Sequence, residues 1–296
     1  MELRNIRTFI RTAELNSFSR TAEELGYTQS AVTIQIKSLE TELDAALFER
    51  IGRGIRLTQK GETFLEYARH MLECEQEAIS AVSGSETITG NLRIGTAESI
   101  CSHVLPKVMS AFARRCPEVK LQIETIQVKD MFTALKKNMI DLLLFVDLPA
   151  YDESLVRGVS MPLSFHFVVD PENPLAGKKR PKLSDIFSQR LVLTEKGLSY
   201  RDELDRFADA NGFALDPSII CDNADLIMEM IMREGYTGYL PDYMTGRLAG
   251  EGHLVRLNYN VPTEMQMQIL YHRHKQVTKQ MQVFIELLRN YGEELI

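Results

Sequence analysis

The sequence lacks the features of an exported or membrane-embedded protein. No part of the 296 residues approaches the roughly 18 consecutive apolar residues that a membrane-spanning helix needs. Residues 1–7 have neither the apolar core nor the cleavage site of a secretory signal, so we expect a cytoplasmic protein with no membrane partner. The four cysteines are scattered, without the paired spacing of a metal site or a disulfide framework: Cys74, Cys101, Cys116 and Cys221.

An excess of basic residues is also absent, because the formal net charge is −7. Residues 1–60 nevertheless hold nine of the 34 basic and eight of the 41 acidic residues, so the acidity lies in the remainder of the chain. Residues 50–60 contain four basic residues and no acidic one. Binding to phosphates requires such a local cationic patch and not a basic whole chain.

Length and composition predict a globular protein of two or three domains, with 44% hydrophobic and 25% charged residues. No nucleophile–base spacing, glycine-rich phosphate loop or metal-ligand cluster stands out, so we expect neither an enzyme nor a bound cofactor or metal. The pair His272 and His274, two apart on a predicted strand, is a weak metal pattern and more typical of a surface feature.

The first sixty residues predict a helix-turn-helix. Apolar residues at helical spacing indicate a helix over residues 3–14, and Ser17 or Ser19 can cap a second helix that Gly26 ends. A third helix, capped by Thr28, is predicted over residues 29–43. Two short helices joined by a tight turn that contains glycine are typical of this motif, although a plain three-helix bundle with a polar outer face shows the same periodicity.

The third helix is the predicted reader of the DNA major groove. Glutamine can pair with adenine through two hydrogen bonds, and hydroxyls bind base edges or phosphates. With the two serines that begin the second helix, the polar candidates for DNA contact are Ser17, Ser19, Gln29, Ser30, Thr33 and Lys37.

Residues 49–58 alternate in polarity, with glycine at positions 52 and 54, and predict a short β-hairpin. A hairpin in this place makes a winged helix-turn-helix. Its arginines, Arg50, Arg53 and Arg56, suit contact with phosphates or with the negative channel of the minor groove. A solvated charged loop is the alternative interpretation.

The segment from residue 18 to residue 40 reads FSRTAEELGYTQSAVTIQIKSLE and resembles the signature of LysR-type transcriptional regulators. Its continuation, LFER at residues 47–50 and LTQKG at residues 57–61, is similar to the wing and the start of the linker helix of that family. Two positions depart from the family pattern. Ser30 stands where the family often has proline, and Ile34 stands where it often has arginine, which leaves more of the DNA contact to Gln29, Thr33 and the wing.

Residues 58–83 contain no proline and predict one long helix, about 37 Å in length at the usual rise per residue. Such a helix either packs on its own domain or pairs with another subunit. The resemblance implies pairing, so that a dimer binds a pseudo-palindromic site in double-stranded DNA. It further implies a tetramer, a contact with RNA polymerase and a small-molecule effector.

Beyond residue 90 the pattern β-α-β-α-β, with continuous apolar strands and a first helix over residues 102–115, predicts a parallel sheet covered by helices. The expected architecture is therefore α/β and multidomain. Residues 1–60 form the winged helix-turn-helix, residues 61–90 the dimerisation helix and hinge, and residues 91–296 a two-lobed effector domain that resembles periplasmic solute-binding proteins. Lobe I is expected at about 91–161 and 267–296, and lobe II at about 162–266. A secreted solute-binding protein would explain the last region alone, and an enzyme on the same fold is a further alternative.

In open α/β sheets a ligand binds at the carboxyl ends of the strands. The loops there contain the candidate effector-binding residues Glu98, Ser99, Ile100, Gln127, Thr194, Lys196, Ser199, Arg201, Asn223 and Tyr239. Ser99 at a helix start, with Lys196 and Arg201 as counter-charges, predicts a carboxylate-bearing effector. The alternatives are that Ser99 only caps its helix and that Arg201 forms a surface ion pair with Asp202 or Asp205. Glu98 argues against a purely anionic ligand, and a redox role for Cys101 or Cys221 is a minor alternative to burial in the core.

Overall fold

The structure is a computed structural model, and it describes residues 1–51, 54–82 and 87–295. The chain divides into two compact units, Met1–Gly90 and Asn91–Ile296. In the described ranges no helix is both long and apolar enough to cross a membrane.

The first unit consists of helices and one hairpin: α1 (Leu3–Leu15), α2 (Phe18–Leu25), α3 (Gln29–Glu42), β1 (Phe48–Ile51), β2 (Gly54–Leu57) and α4 (Gln59–Val82). Local chemistry sets the helix ends as the sequence predicts. The Ser17 hydroxyl accepts a hydrogen bond from the Arg20 N–H at 3.3 Å, and the Thr28 hydroxyl accepts one from the Ala31 N–H at 3.1 Å. Gly26 ends α2 with a φ of 68°, a conformation that glycine adopts without a steric penalty.

One hydrophobic core joins all the helices of the first unit to the hairpin. Phe9 is completely buried, and its ring centroid lies 5.5 Å from that of Phe48 and 5.0 Å from that of Phe64 on α4. A Cβ atom at Gly61 would lie 2.1 Å from the Leu47 carbonyl oxygen, so only glycine allows α4 to begin this close to β1. The start of α4 therefore packs against the hairpin and the helices that precede it.

Lobe I of the second unit is built from β3 (Thr89–Thr96), α5 (Glu98–His103), α6 (Leu105–Arg115), β4 (Glu118–Thr125), α7 (Val128–Lys136), β5 (Leu142–Asp147), β6 (Leu155–Pro162), β12 (Gln266–His272) and α12 (Lys279–Leu295). Its sheet has the order β4-β3-β5-β12-β6. Strands β3 and β5 are parallel, as predicted, but β12 returns from lobe II and pairs antiparallel with both β5 and β6. The sheet is mixed because this late strand inserts into it in the opposite direction.

Lobe II contains β7 (Phe165–Val169), α8 (Leu183–Phe187), β8 (Val192–Leu193), α9 (Ser199–Ala210), β9 (Ile219–Ile220), α10 (Ala224–Glu234), β10 (Gly238–Pro241), α11 (Asp242–Gly250) and β11 (Val255–Arg256). Strand β7 lies between β10 and β11 and is antiparallel to both, while β8 and β9 are parallel. The predicted parallel pairing is therefore found in lobe II between β8 and β9, whereas β7 pairs antiparallel with both of its neighbours.

Sequence periodicity misses four elements of the second unit and merges two others. Strands β6 and β11 and helices α8 and α11 are not predicted, and residues 102–115 are predicted as one helix where the structure has α5 and α6. The break falls at Val104, and Pro106 occupies the first turn of α6, where its missing N–H costs no hydrogen bond.

Candidate DNA-binding surface and effector cleft

Helix α3 separates an apolar face from a polar one. Val32, Ile36 and Leu39 are buried in the core of the first unit. The opposite face carries Gln29, Ser30, Thr33 and Lys37, of which Thr33 is half-buried and the other three are exposed. The predicted base-reading residues thus share one accessible face of the helix.

Gln29 accepts two hydrogen bonds from neighbouring hydroxyls. The Ser19 hydroxyl donates to its side-chain oxygen at 3.0 Å, and the Thr33 hydroxyl donates to its backbone carbonyl at 2.9 Å. The Gln29 oxygen keeps a second lone pair and its amide nitrogen carries two donors, as a bidentate contact with adenine needs. Ser30 has its hydroxyl 2.9 Å from that of Thr28. Ser17 is half-buried and engaged as the N-cap of α2.

Ile34 also lies on the accessible side of α3, with 67% of its surface exposed. It stands where an arginine would add a positive charge. Since isoleucine is neutral, Lys37 is the one basic residue of α3, a helix that the structure describes throughout.

The hairpin register places its two described arginines on opposite faces. Arg50 lies opposite Ile55, while Arg56 lies opposite Glu49. Residues directly across an antiparallel pair have side chains on the same face, so Arg56 has a carboxylate as its cross-strand neighbour and Arg50 does not. Arg53 lies outside the described residues. The two described arginines of the wing therefore differ in their cross-strand neighbours and not in their own charge.

The second unit has a cavity of about 120 Å³ between its lobes. Lobe I contributes the first residues of α5 and α7 and the end of β5, and lobe II contributes the first residues of α9, α10 and α11. Apolar side chains form much of the wall, with Met131, Phe132, Phe145 and Leu198 among them. The cavity thus lies where strand ends and helix starts of both lobes meet.

Three polar contacts join the lobes at this cavity. The Ser99 and Tyr243 hydroxyls are 2.9 Å apart, the Asn223 amide donates to the Glu98 carboxylate at 3.1 Å, and His103 Nε2 lies 3.0 Å from an oxygen of Asp225. Burial raises the pKa of Tyr243, although the bond to Ser99 opposes the shift, so this phenol remains a neutral hydrogen-bonding group.

Comparison with known proteins identifies both parts of the chain. Residues 3–62 match the family model described as bacterial regulatory helix-turn-helix protein, lysR family, and residues 85–293 match the LysR substrate binding domain. The chain belongs to the LysR family. It is a DNA-binding transcription regulator with an effector-binding domain, which confirms the family predicted from residues 18–61.

Its relatives carry the same architecture from end to end. It is 30% identical to the uncharacterized HTH-type transcriptional regulator YwqM of Bacillus subtilis (strain 168), over 98% of this chain and 99% of that one. A full-length variant of OxyR from Pseudomonas aeruginosa shares the fold with a TM-score of 0.71 at 20% identity, covering 98% and 95% of the two chains. Full-length CbnR complexed with its target DNA matches with a TM-score of 0.52 at 21% identity, covering 99% and 100%.

Four of the ten predicted effector-binding residues of this LysR-family protein line the cavity: Glu98, Ser99, Ile100 and Ser199. Two others are its immediate neighbours. Gln127 is the exposed N-cap of α7, and Asn223 caps α10 through its side-chain oxygen while its amide donates to Glu98.

The remaining four predicted residues do not line the cavity, although the Thr194 side chain bonds to Tyr200, which does. Arg201 is only 1% exposed, and its guanidinium donates to Asp205 at 3.0 Å and to the Thr194 carbonyl at 2.6 Å. Lys196 lies 3.7 Å from Asp205. Tyr239 belongs to the aromatic core of lobe II. The structure therefore does not bring the two expected counter-charges to the cavity, and the predicted partner Asp205 binds Arg201 in the interior and not at the surface.

Sequence reasoning missed several residues that line the cavity, namely Val128, Phe132, Asp147, Asp222, Asp225 and Tyr243. Helix α11, which carries Tyr243, has no clear periodic signal, so its contribution depended on the tertiary fold. In the described ranges no group of three or more His, Cys, Asp or Glu residues is arranged to hold a metal ion.

Proposed function

We propose that a small molecule bound between lobes I and II changes how this regulator binds a pseudo-palindromic operator. The observation that carries the proposal is the cavity formed by helix starts of both lobes and crossed by the Ser99–Tyr243, Glu98–Asn223 and His103–Asp225 contacts. A molecule that enters must rearrange or extend these contacts, which couples its binding to the relation between the lobes. In this proposal residues 1–60 bind DNA, residues 61–90 connect and dimerise, and residues 91–296 sense the effector.

The effector in this proposal carries a carboxylate. Helices α9 and α10 begin at the cavity with Ser199 and Ala224, and the first N–H groups of a helix have no partner within it. These groups and the helix dipole favour a negatively charged atom at that end. The Ser199 hydroxyl adds a further donor.

Dimerisation through α4 is supported by its exposed residues. Tyr67 is 61% and Ile79 is 54% exposed, and Cys74 and Ala78 are exposed between them. Positions 67, 74 and 78 follow the spacing of one helix stripe, which a second copy of the helix would cover. A tetramer, a contact with RNA polymerase and a cytoplasmic location complete the proposal by analogy with the family.

A footprint on the DNA upstream of the regulator's own gene, with and without a metabolite extract, tests this function. Ser102→Phe adds an aromatic ring at an exposed position that lines the cavity. Thr133→Phe adds the same ring at an exposed position of α7 outside the lining. We expect both variants to protect the operator and only Ser102→Phe to lose the response to the extract. Absence of any protected site at low salt, or an unchanged response in Ser102→Phe, would contradict the proposal.

A further inference from the structure

The charged side chains that line the cavity are predominantly acidic. Glu98, Asp147, Asp222 and Asp225 contribute carboxylates, and His103 is the single histidine among the described lining residues. No lysine or arginine is among the lining residues in the described part of the chain. Four carboxylates at one small cavity repel an anion and favour a cation.

The nearest cations suggested by the sequence are already engaged. Lys196 and Arg201 both contact Asp205, and Arg201 also donates to a backbone carbonyl. Removing Arg201 from that buried position would leave a carboxylate without its partner, which is costly. These cations therefore do not neutralise the acidic lining.

The acidic groups retain the capacity to bind a donor. A carboxylate has about four lone-pair sites, whereas Glu98 accepts one bond from Asn223 and Asp225 contacts one nitrogen of His103. Asp222 is exposed and has no described partner. An ammonium group carries three donors and a positive charge, which matches this set better than a neutral amide or hydroxyl would.

We infer that the effector bears a protonated amine that these carboxylates bind, and that it is a small zwitterion of the amino-acid class. The inference rests on the proposed function and extends it. The amine faces Glu98 and Asp222, the carboxylate faces the start of α9 with Ser199, and the carbon chain packs on Met131 and Phe132. This arrangement places each charge of the ligand beside its opposite and explains why a cavity expected to hold an anion is acidic.

Four compounds with one five-carbon chain test the inference on the purified full-length protein: norvaline, pentanoate, pentylamine and pentanol. We expect norvaline at millimolar concentration to raise the melting temperature most and pentylamine to raise it less. Pentanoate and pentanol should have little effect. Asp222→Asn and Glu98→Gln should each weaken norvaline binding about tenfold, because each removes a charge-assisted bond. Asp216→Asn, an exposed acidic position outside the lining, is the matched control and should leave binding unchanged.

Three results would overturn the inference: a shift with pentanoate or pentanol as large as that with norvaline, no shift with any compound, or norvaline binding unaffected by both variants. The proposed function is judged separately. If an extract alters the footprint through a simple carboxylic acid, the amine is wrong and the regulator remains effector-responsive. If no extract alters it, the proposed function fails, whatever the probes do.

Discussion

Replacing Arg50 by alanine removes one positive charge from the wing without disturbing a described ion pair. Each phosphate that a protein neutralises on duplex DNA contributes about 0.9 to the slope of log K against log salt. Arg50 lies opposite an isoleucine, so we expect it to neutralise a full phosphate. Arg50→Ala should then flatten the slope by about 0.9 for each winged helix-turn-helix that binds the duplex. A fourfold rise in salt concentration would then weaken DNA binding by the wild type about 3.5-fold more than DNA binding by the variant, for each winged helix-turn-helix.

The contrast with Arg56 makes this prediction specific. Arg56 faces Glu49 across the hairpin, and this neighbouring carboxylate lowers the positive potential around the guanidinium. Arg56→Ala should therefore flatten the slope by less than Arg50→Ala. Fluorescence anisotropy with a labelled random-sequence duplex, over a series of salt concentrations, measures both slopes without knowledge of the operator. Arg114→Ala, in the second unit, is the control. Equal slopes for Arg50→Ala and wild type would show that Arg50 does not contact phosphates.

Three further predictions concern other parts of the chain. Gln29→Ala should cost about 1–3 kcal/mol on a selected operator and leave the salt slope nearly unchanged, because it removes a base contact; a flattened slope would reassign Gln29 to phosphate. Ile34→Arg should steepen the slope by about 0.9 on random DNA if α3 lies in the groove, and no change would place this face away from DNA. Asp141→Asn should lower the free energy of unfolding in urea by about 3–5 kcal/mol, because the buried carboxylate contacts Arg93 at 2.6 Å and the buried Lys275 at 2.7 Å; a loss below about 1 kcal/mol would refute this.

The stability contribution of Asp141 should also depend on pH. Burial raises the pKa of this carboxyl, but the charges of Arg93 and Lys275 outweigh burial and hold it below the ordinary value. Since the folded pKa is the lower one, the contribution is complete above about pH 4 and is lost as the pH falls further. The free energy of unfolding in urea should accordingly differ less between wild type and Asp141→Asn only when the solution is acidic. If this difference in free energy instead grew in acid, the pKa of Asp141 would be raised in the folded protein and not lowered.

Local signals were sufficient for the first unit. The caps Ser17 and Thr28, the glycine at position 26 and the apolar spacing each act within a few residues, and the observed helix ends agree with the predicted ones to within about a turn. The hairpin followed from alternation. Its register, which puts Glu49 beside Arg56, did not, because cross-strand neighbours depend on which residues form the turn.

The acidic cleft shows the opposite case. Glu98, Ser99 and Ser199, predicted to bind the effector because they follow strand ends, lie in the lining of the cavity. Lys196 and Arg201 follow a strand in the same way, but a long side chain can turn toward its own helix, and Asp205 lies one turn along from Arg201. Sequence distance to a strand end does not say which way such a side chain points.

What the sequence determined by itself was the helices and hairpin of the first unit, the long helix after them and the α/β character of the rest, because periodicity and capping are short-range properties. The tertiary structure alone decided the sign of charge at the cleft, the mixed sheets and the inequality of the wing arginines. Each of these depends on pairing between residues that the sequence pattern does not bring together. The polar surface of α3 is thus local in origin, whereas the acidic lining of the cavity is a product of the folded lobes.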